Sequence, residues 1–543
     1  MLLGHRYIYI YKRMHMKKIL ITLIAVVGLG WWAFNSAMAP VVFNLPDGVY
    51  EASDKDFIQV KDVVKPLKSG AESQKQPPNI IVILADDLGW GDIGVQGSKA
   101  IETPNIDQLA AQGTRLTNFY SSAAICSPSR AGLLTGRYPL RSGFANVLAA
   151  ADDTFMRKTM MSLSVGFSKL GLSDMVGGAP SIKGLPVSEI TIPEALQTNG
   201  YRTLGIGKWH LGDFTHFPEF HPHNHGFDRF YGYNMSNDDW PVALWRDQEE
   251  LIKDIGINQS NHTKEFTEET VKMIHEWKDQ PYFIYMSHKD PHQPFFPSEQ
   301  FKGKSRGGPY GDAVSEFDWS VGEVIKALEA TDQLDNTLVL VTSDNGPWYE
   351  GSSGGFRGRK GQSYEGGFRV PFIASMPNSI PKGSVSDTPA MNIDILPTAL
   401  AMAGLDIPSD RIIDGVDLMP LLKGSANDVS YDRPLYFYHE YAVEAVRQGS
   451  WKYIQDISHY VWPVPLDKNV MVSGQAANSR DYYPEGSDVP VPTLGVWPLL
   501  YDLEVDKSEG YNVAKLYPEK ADNFDRLINQ WQKEFMANPR GWK

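Results

Sequence analysis

The sequence predicts an α/β fold: a large, mostly parallel sheet sandwiched by helices, followed by a smaller C-terminal antiparallel sheet plus helix. Three observations carry this. Runs of apolar, β-branched residues without polar alternation recur along the chain, as in Asn79-Ile80-Ile81-Val82-Ile83-Leu84-Ala85, and such runs suit strands covered on both faces. Amphipathic helical patterns separate them, and alternation of strand with helix builds a parallel sheet. Beyond Gly415 the texture changes, and Tyr431 to Val513 alternates short Tyr/Trp/Val-rich pieces with Pro and Gly.

The elements follow in order. Met14 to Phe43 reads as targeting: Arg13, Lys17 and Lys18 precede an uncharged stretch from Ile19 to Pro46 with an apolar heart from Ile19 to Phe34. Ala37-Met38-Ala39 resembles a cleavage site, but Pro40 behind it is a poor residue on the far side of a cut bond, so residues 1–46 are either a signal peptide or an uncleaved anchor. Residues 47–78 are polar, Lys-rich and end in Gln76-Pro77-Pro78, as a linker does. The main α/β domain is expected over 79–430. Its strands are Asn79 to Ala85, Thr203 to Gly207, Tyr282 to Met286, Leu338 to Thr342 and Val370 to Ser375. Its helices are Pro104 to Ala110 with Thr103 as N-cap, then Ile192 to Asn199, Lys264 to Trp277, Val314 to Ala330 and Ile393 to Ala403. A C-terminal α+β subdomain over 431–543 ends in a helix from Lys520 to Ala537.

Composition bounds the function. The 543 residues are 42% hydrophobic and 21% charged, ordinary for a globular chain, and the net charge of −14 opposes a nucleic-acid partner. One cysteine in an exported chain means no intramolecular disulfide, which favours a bacterial periplasmic or extracellular setting. There, the formal glycosylation acceptors at Asn258 and Asn261 carry no meaning.

Two acidic pieces sit at strand ends. Asp86-Asp87 follows the first strand and Asp344-Asn345 follows the fourth, and open α/β sheets place ligands beyond the carboxyl ends of their strands. Four oxygen-bearing side chains without a soft ligand suit a hard cation, Ca²⁺ or else Mg²⁺; taken singly, either pair equally reads as a helix cap or solvated turn. Cys126 opens Cys126-Ser127-Pro128-Ser129-Arg130, followed by Leu134-Thr135-Gly136-Arg137. Pro128 suits a first helical turn, which puts Cys126 at a helix N-terminus that favours anions.

This C-x-P-x-R string resembles the first signature of the type I sulfatases, members of the alkaline-phosphatase superfamily. Gly200-Tyr201-Arg202-Thr203 through Gly207-Lys208-Trp209-His210 resembles the second, and His292-Gln293-Pro294 and Lys360-Gly361-Gln362-Ser363-Tyr364-Glu365-Gly366-Gly367 resemble supporting blocks. The resemblance implies an arylsulfatase-like sulfuric ester hydrolase whose cysteine a maturation enzyme oxidises to formylglycine. It also implies roles. Asp86, Asp87, Asp344 and Asn345 hold the metal together with the modified Cys126; one hydroxyl of its hydrate attacks sulfur, with Asp344 as base. His292 or Lys360 protonates the departing alcohol, His210 takes the second hydroxyl proton, and Arg130 and Lys208 steady the developing charge. His288 stands in reserve for His292.

The His221-Pro222-His223-Asn224-His225 run is declined as a transition-metal site; it borders the cleft or is a structural loop. Trp240, Trp245, Trp348, Tyr349 and Phe356, with Asp238, Asp239 and Arg357, are expected to wall a cleft suited to an aryl sulfate or a sulfated saccharide. A phosphonate or phosphodiester hydrolase is the nearest rival reading. An inactive, membrane-tethered glycan-binding protein is the other, and it would be expected to have lost part of the charged set.

Overall fold

The computed structural model describes residues 59–67, 77–148, 182–425, 431–457 and 498–543; the segment 1–46 and most of the linker lie outside them. Among the described residues no helix is long and apolar enough to cross a membrane.

Six strands form the body of a ten-stranded sheet: β1 (Asn79–Ala85), β2 (Arg202–Lys208), β3 (Arg229–Tyr233), β4 (Tyr282–Ser287), β5 (Thr337–Ser343) and β6 (Phe372–Ser375). Their spatial order is β6-β5-β1-β4-β2-β3. All neighbours are parallel except β6, which runs against β5. Short strands at Thr114–Leu116 and Ser384–Ser386 extend the β6 side, and the hairpin Leu244–Arg246/Glu249–Ile252 extends the β3 side. The α/β class with a mostly parallel central sheet is therefore the one the chain adopts.

The unbroken apolar run of β1 has a direct cause. Ile80, Val82 and Leu84 enter one core with residues of the helices α2 (Cys126–Thr135), α3 (Ile192–Gln197) and α6 (Ile395–Met402). Ile81, Ile83 and Ala85 enter the other, with α1 (Pro104–Ala111), α4 (His262–Glu276) and α5 (Gly308–Ala330). A side chain of this kind, fully withdrawn from water, contributes about 1.5–3 kcal/mol, so a polar residue is disfavoured on either face.

Three local expectations are corrected. Thr103 precedes α1 but its hydroxyl bonds Asp107 rather than the helix amides; Asp318, reaching across from α5, accepts from the backbone N–H groups of Asn105 and Ile106 instead. α5 starts at Gly308, ahead of the expected Val314, with Pro309 in its first turn. Residues 229–233, absent from the expected strands, are the parallel strand β3; Gly232 packs so close to Gly207 that a Cβ would stand 1.9 Å from its carbonyl oxygen.

The C-terminal part is an antiparallel sheet of β7 (Leu435–His439), β8 (Ala442–Gln448), β9 (Trp451–Ile454) and β10 (Leu499–Asp502), with α7 (Pro518–Ala537) packing Phe524, Ile528 and Phe535 into the same apolar cluster. Its seam with the larger body is ionic as well as apolar. Lys452, fully buried, lies 3.1 Å from Glu365 and 3.1 Å from Glu509, and Glu365 also accepts from Tyr120 at 2.6 Å and Arg369 at 3.2 Å.

Candidate active site

The carboxyl ends of four adjacent parallel strands deliver the polar groups. Asp86-Asp87 follows β1, Lys208 ends β2, Ser287 ends β4 and Asp344-Asn345 follows β5. The N-terminus of α2 brings Cys126 to the same place, and a buried Arg130 follows one helical turn later.

Around Cys126 the side chains form a continuous network. Its Sγ is 3.5 Å from Asp86 Oδ1 and 3.2 Å from Lys360 Nζ. Lys360 also donates to Asp87, at 2.7 Å to Oδ1 and 2.9 Å to Oδ2. Lys208 Nζ donates to Asp86 Oδ2 at 2.6 Å. Arg130 turns Nε and Nη2 onto Asp344 Oδ2 at 3.0 and 2.7 Å, with Nη2 also 3.3 Å from Asp86; its Nη1 donates to Ser287 Oγ and to the Lys208 carbonyl. His292 places Nε2 3.7 Å from Asp87 Oδ2 and Nδ1 2.6 Å from the Gln293 carbonyl, so Nδ1 carries the proton donated there. Asp87 holds a left-handed φ of 66°, a strained backbone state of the kind that persists only when its surroundings fix it. Here the fixing bonds are Asp87 N–H to Asp344 Oδ1 (3.2 Å) and Asn345 Nδ2 to Asp87 Oδ1 (2.7 Å).

The field in this cluster is uneven. Burial opposes ionisation of Asp86, but Lys208, His292, Arg130 and Lys360 outweigh it and hold the carboxyl well below the usual range. For Asp344, burial and the neighbouring Asp86 charge win over Arg130 and push the carboxyl up to about 7. Burial, helped by Asp86 and Asp344, pushes the Cys126 thiol far up despite Lys208 and Lys360.

Oxygen donors and a carboxylate short of positive charge fit a hard divalent cation. The side-chain oxygen of Asn345 is buried without a hydrogen-bond partner, an orphan that a cation would satisfy. Donor atoms of Asp86, Asp87, Cys126 and His292 lie within 4.8 Å of one another. The expected carboxylate ligands are also engaged with cations of the chain: Asp344 Oδ2 with Arg130, Asp86 Oδ2 with Lys208 and both Asp87 oxygens with Lys360.

His210 sits apart from that knot. Its Nε2 faces the Leu148 carbonyl at 3.1 Å and Asp239 Oδ2 at 3.7 Å. Burial first, then Lys208 and Arg130, lower its pKa well below the ordinary value. The ring is therefore neutral, with the proton on Nε2 toward the carbonyl, and its buried Nδ1 is an acceptor without a partner.

Other expectations need correction. His288 is buried beneath the site, with Nε2 3.1 Å from Ser320 Oγ and its ring edge-on to Phe317, which removes it as a reserve acid. The His221–His225 run agrees with its reading as a structural loop: His221 and His223 are tied to the carbonyls of Asp247 and Phe227, and His225 packs on Trp209. Trp245 packs against Phe214 and His221, while Phe356 meets Trp90 and Arg369 in the interior. Arg357 stacks on Tyr364 and bonds Tyr501. These three side chains are held by partners within the fold. Ser287, which fixes Arg130, was missed by sequence reasoning; its position as the last residue of a buried strand was the signal.

Residues 78–405 match the family model described as Sulfatase. The mouse (Mus musculus) N-acetylgalactosamine-6-sulfatase is 39% identical over 497 residues, covering 86% of this chain and 88% of that protein. Human (Homo sapiens) steryl-sulfatase is 30% identical over 571 residues, covering 86% and 91%. Among solved structures, the PsFucS1 sulfatase from Pseudoalteromonas sp. superposes with a TM-score of 0.69 at 27% identity, covering 86% of this chain and 92% of that one.

Proposed function

Because the chain belongs to the sulfatase family and is a sulfuric ester hydrolase, we propose that it removes sulfate from a sulfated saccharide, using formylglycine made from Cys126 and a calcium ion held by Asp86, Asp87, Asp344 and Asn345. The observation that carries the mechanism is the state of Cys126. A thiol whose pKa burial has raised is protonated at neutral pH and a poor nucleophile. Yet two lysines and two aspartates converge on it.

The hydrated aldehyde supplies an oxygen nucleophile at position 126, and a bound cation supplies positive charge to sulfate oxygens. The other duties fall to side chains of this chain. Lys208 and Lys360 bring positive charge and the ammonium donors not spent on Asp86 and Asp87 to an anion, and Arg130 anchors the carboxylates around it. His210 Nδ1, unprotonated and unpartnered, is suited to take a proton from a hydroxyl at position 126. His292, partly exposed, is suited to return one to the departing oxygen.

The matched curated relatives act on sulfate, which favours it over a phosphonate or phosphodiester. Every charged position expected of an active enzyme is filled, which disfavours the silent glycan-binding reading. The N-acetylgalactosamine-6-sulfatase match supports a saccharide. Mass spectrometry of the Cys126 peptide from enzyme made in a host with a maturation system is expected to find the thiol replaced by an aldehyde. Full turnover by unmodified thiol refutes the mechanism, and aryl sulfates outrunning every member of a broad sulfated-saccharide panel refutes the substrate.

A further inference from the structure

Exposure maps the way out of the site. The side chains of Asp86, Arg130 and Lys208 are 0% exposed, whereas His292 is 12% exposed and its neighbour Gln293 is open to solvent. Two further loops meet at this point. Gln293 Nε2 donates to Glu350 Oε1 at 3.0 Å, joining the loop after β5, and Asn237 Nδ2 donates to the Gln293 carbonyl at 3.2 Å, joining the loop after β3. Asp238 and exposed Trp240 follow Asn237 in that loop. The mouth is therefore bordered by carboxylates on both sides, Asp238 and Glu350, while Lys208 lies fully buried on Asp86 and Lys360, 14% exposed, is engaged with Asp87 and Cys126.

Asp238 is the better placed of the two to act on a bound molecule. It is half-buried, and its carboxyl accepts from Ser236 Oγ, so its position is set rather than swinging in solvent. Burial works against its charge, but His292, Lys208 and the Ser236 bond prevail and lower its pKa to about 2. The adjoining Asn237 Oδ1 is buried without a partner and can accept from a hydroxyl.

We infer that Asp238 is a specificity-determining residue: its carboxylate admits a neutral, hydroxyl-bearing leaving group and rejects one that carries a second anion beside the scissile sulfate. The sulfate itself is drawn past the carboxylates to Lys208 and Lys360, which lie beyond them on Asp86 and Asp87, whereas a carboxylate or second sulfate on the leaving group lies beside Asp238 and Glu350, the carboxylates that border the mouth among the described residues. The inference rests on the proposed sulfate-releasing site and bears on which saccharides enter it.

The test is a ratio of kcat/KM values, neutral over anionic, for two matched pairs of probes. One pair is 4-nitrophenyl sulfate and an analogue with a ring carboxylate; the other is a 6-sulfated neutral disaccharide and its counterpart containing a uronic acid. At a separation of several ångströms in a half-buried setting, one charge is expected to set a ratio of about five- to twentyfold. Asp238→Asn is expected to collapse that ratio and Asp238→Glu to keep most of it. If Asp238→Asn does not fold, the ratio for the unaltered enzyme must still fall as salt is raised.

No preference in the unaltered enzyme, or a ratio unmoved by Asp238→Asn or by salt, overturns the inference. The two readings fail separately. If saccharides are not hydrolysed but the aryl pair shows the Asp238-dependent ratio, the saccharide reading falls and this one stands. If saccharides are hydrolysed without that ratio, the reverse holds.

Discussion

Replacing Arg130 with lysine keeps the charge and removes the fork. In the structure Nε and Nη2 hold Asp344 at 3.0 and 2.7 Å, while Nη1 holds Ser287 and the Lys208 carbonyl. A single ammonium cannot span these partners from one point. Losing two hydrogen bonds to charged groups, at about 1.5–3 kcal/mol each, removes about 3–6 kcal/mol of ordering from the site. If that loss falls on the transition state, kcat/KM drops by about two to four orders of magnitude. The assay is steady-state hydrolysis of an aryl sulfate by Arg130→Lys, divided by the aldehyde fraction at position 126 measured by peptide mass spectrometry. Thermal unfolding of the same sample separates misfolding from lost catalysis. A folded, aldehyde-bearing Arg130→Lys enzyme within tenfold of the original would show that Arg130 serves as a point charge, and the positioning argument would fail.

Chelation is expected to abolish activity and lower the unfolding temperature, because a cation bound only by the folded state stabilises it; restoration by zinc but not by calcium or magnesium would contradict the oxygen-donor argument. Lys452→Met leaves Glu365 and Glu509 buried without their shared cation, a loss expected to cost about 3–5 kcal/mol. Burial already lifts Glu509 from 4.5 to about 7, so its contribution is present below its unfolded value and lost as pH rises through the folded one. Removing Lys452 lifts it further, so the variant's deficit in melting temperature should be larger near about pH 8 than near about pH 6; a pH-independent deficit would refute this. Fractionation of a bacterial host is expected to find the protein outside the cytoplasmic membrane, soluble or anchored, and recovery from the cytosol with residues 1–46 intact would count against the export reading.

What the sequence disclosed follows from where the physics is local. The strand Asn79–Ala85 is legible because burial on both faces forces an unbroken apolar run, and the acidic pairs are legible because they stand at the ends of such runs. The structure gathers Asp86, Asp87, Cys126, Arg130, Lys208, His292, Asp344, Asn345 and Lys360 into one network, while His210 stands apart on the Leu148 carbonyl.

Other features leave no local trace. Glu249–Ile252 is an exposed edge strand with no buried face to impose alternation. The packing of Phe356 and Arg357 is fixed by partners such as Arg369 and Tyr501, and the cap on α1 comes from Asp318, far away in sequence. Glu365 belongs to the same class. It stands in the block that carries Lys360, and its carboxylate is spent on Tyr120, Arg369 and Lys452.

That last contact bears on how such an enzyme can be recombined. Lys360 and Glu365 share one tight stretch of chain, the former in contact with Cys126 and the latter sewn to β9. A chimera that exchanged the C-terminal sheet for that of another protein would strand Glu365 and loosen the segment that carries Lys360. Modular swaps at the texture change near Gly415 are thereby closed off unless the donor brings its own equivalents of Lys452 and Glu509, so the two parts are inherited as a matched set.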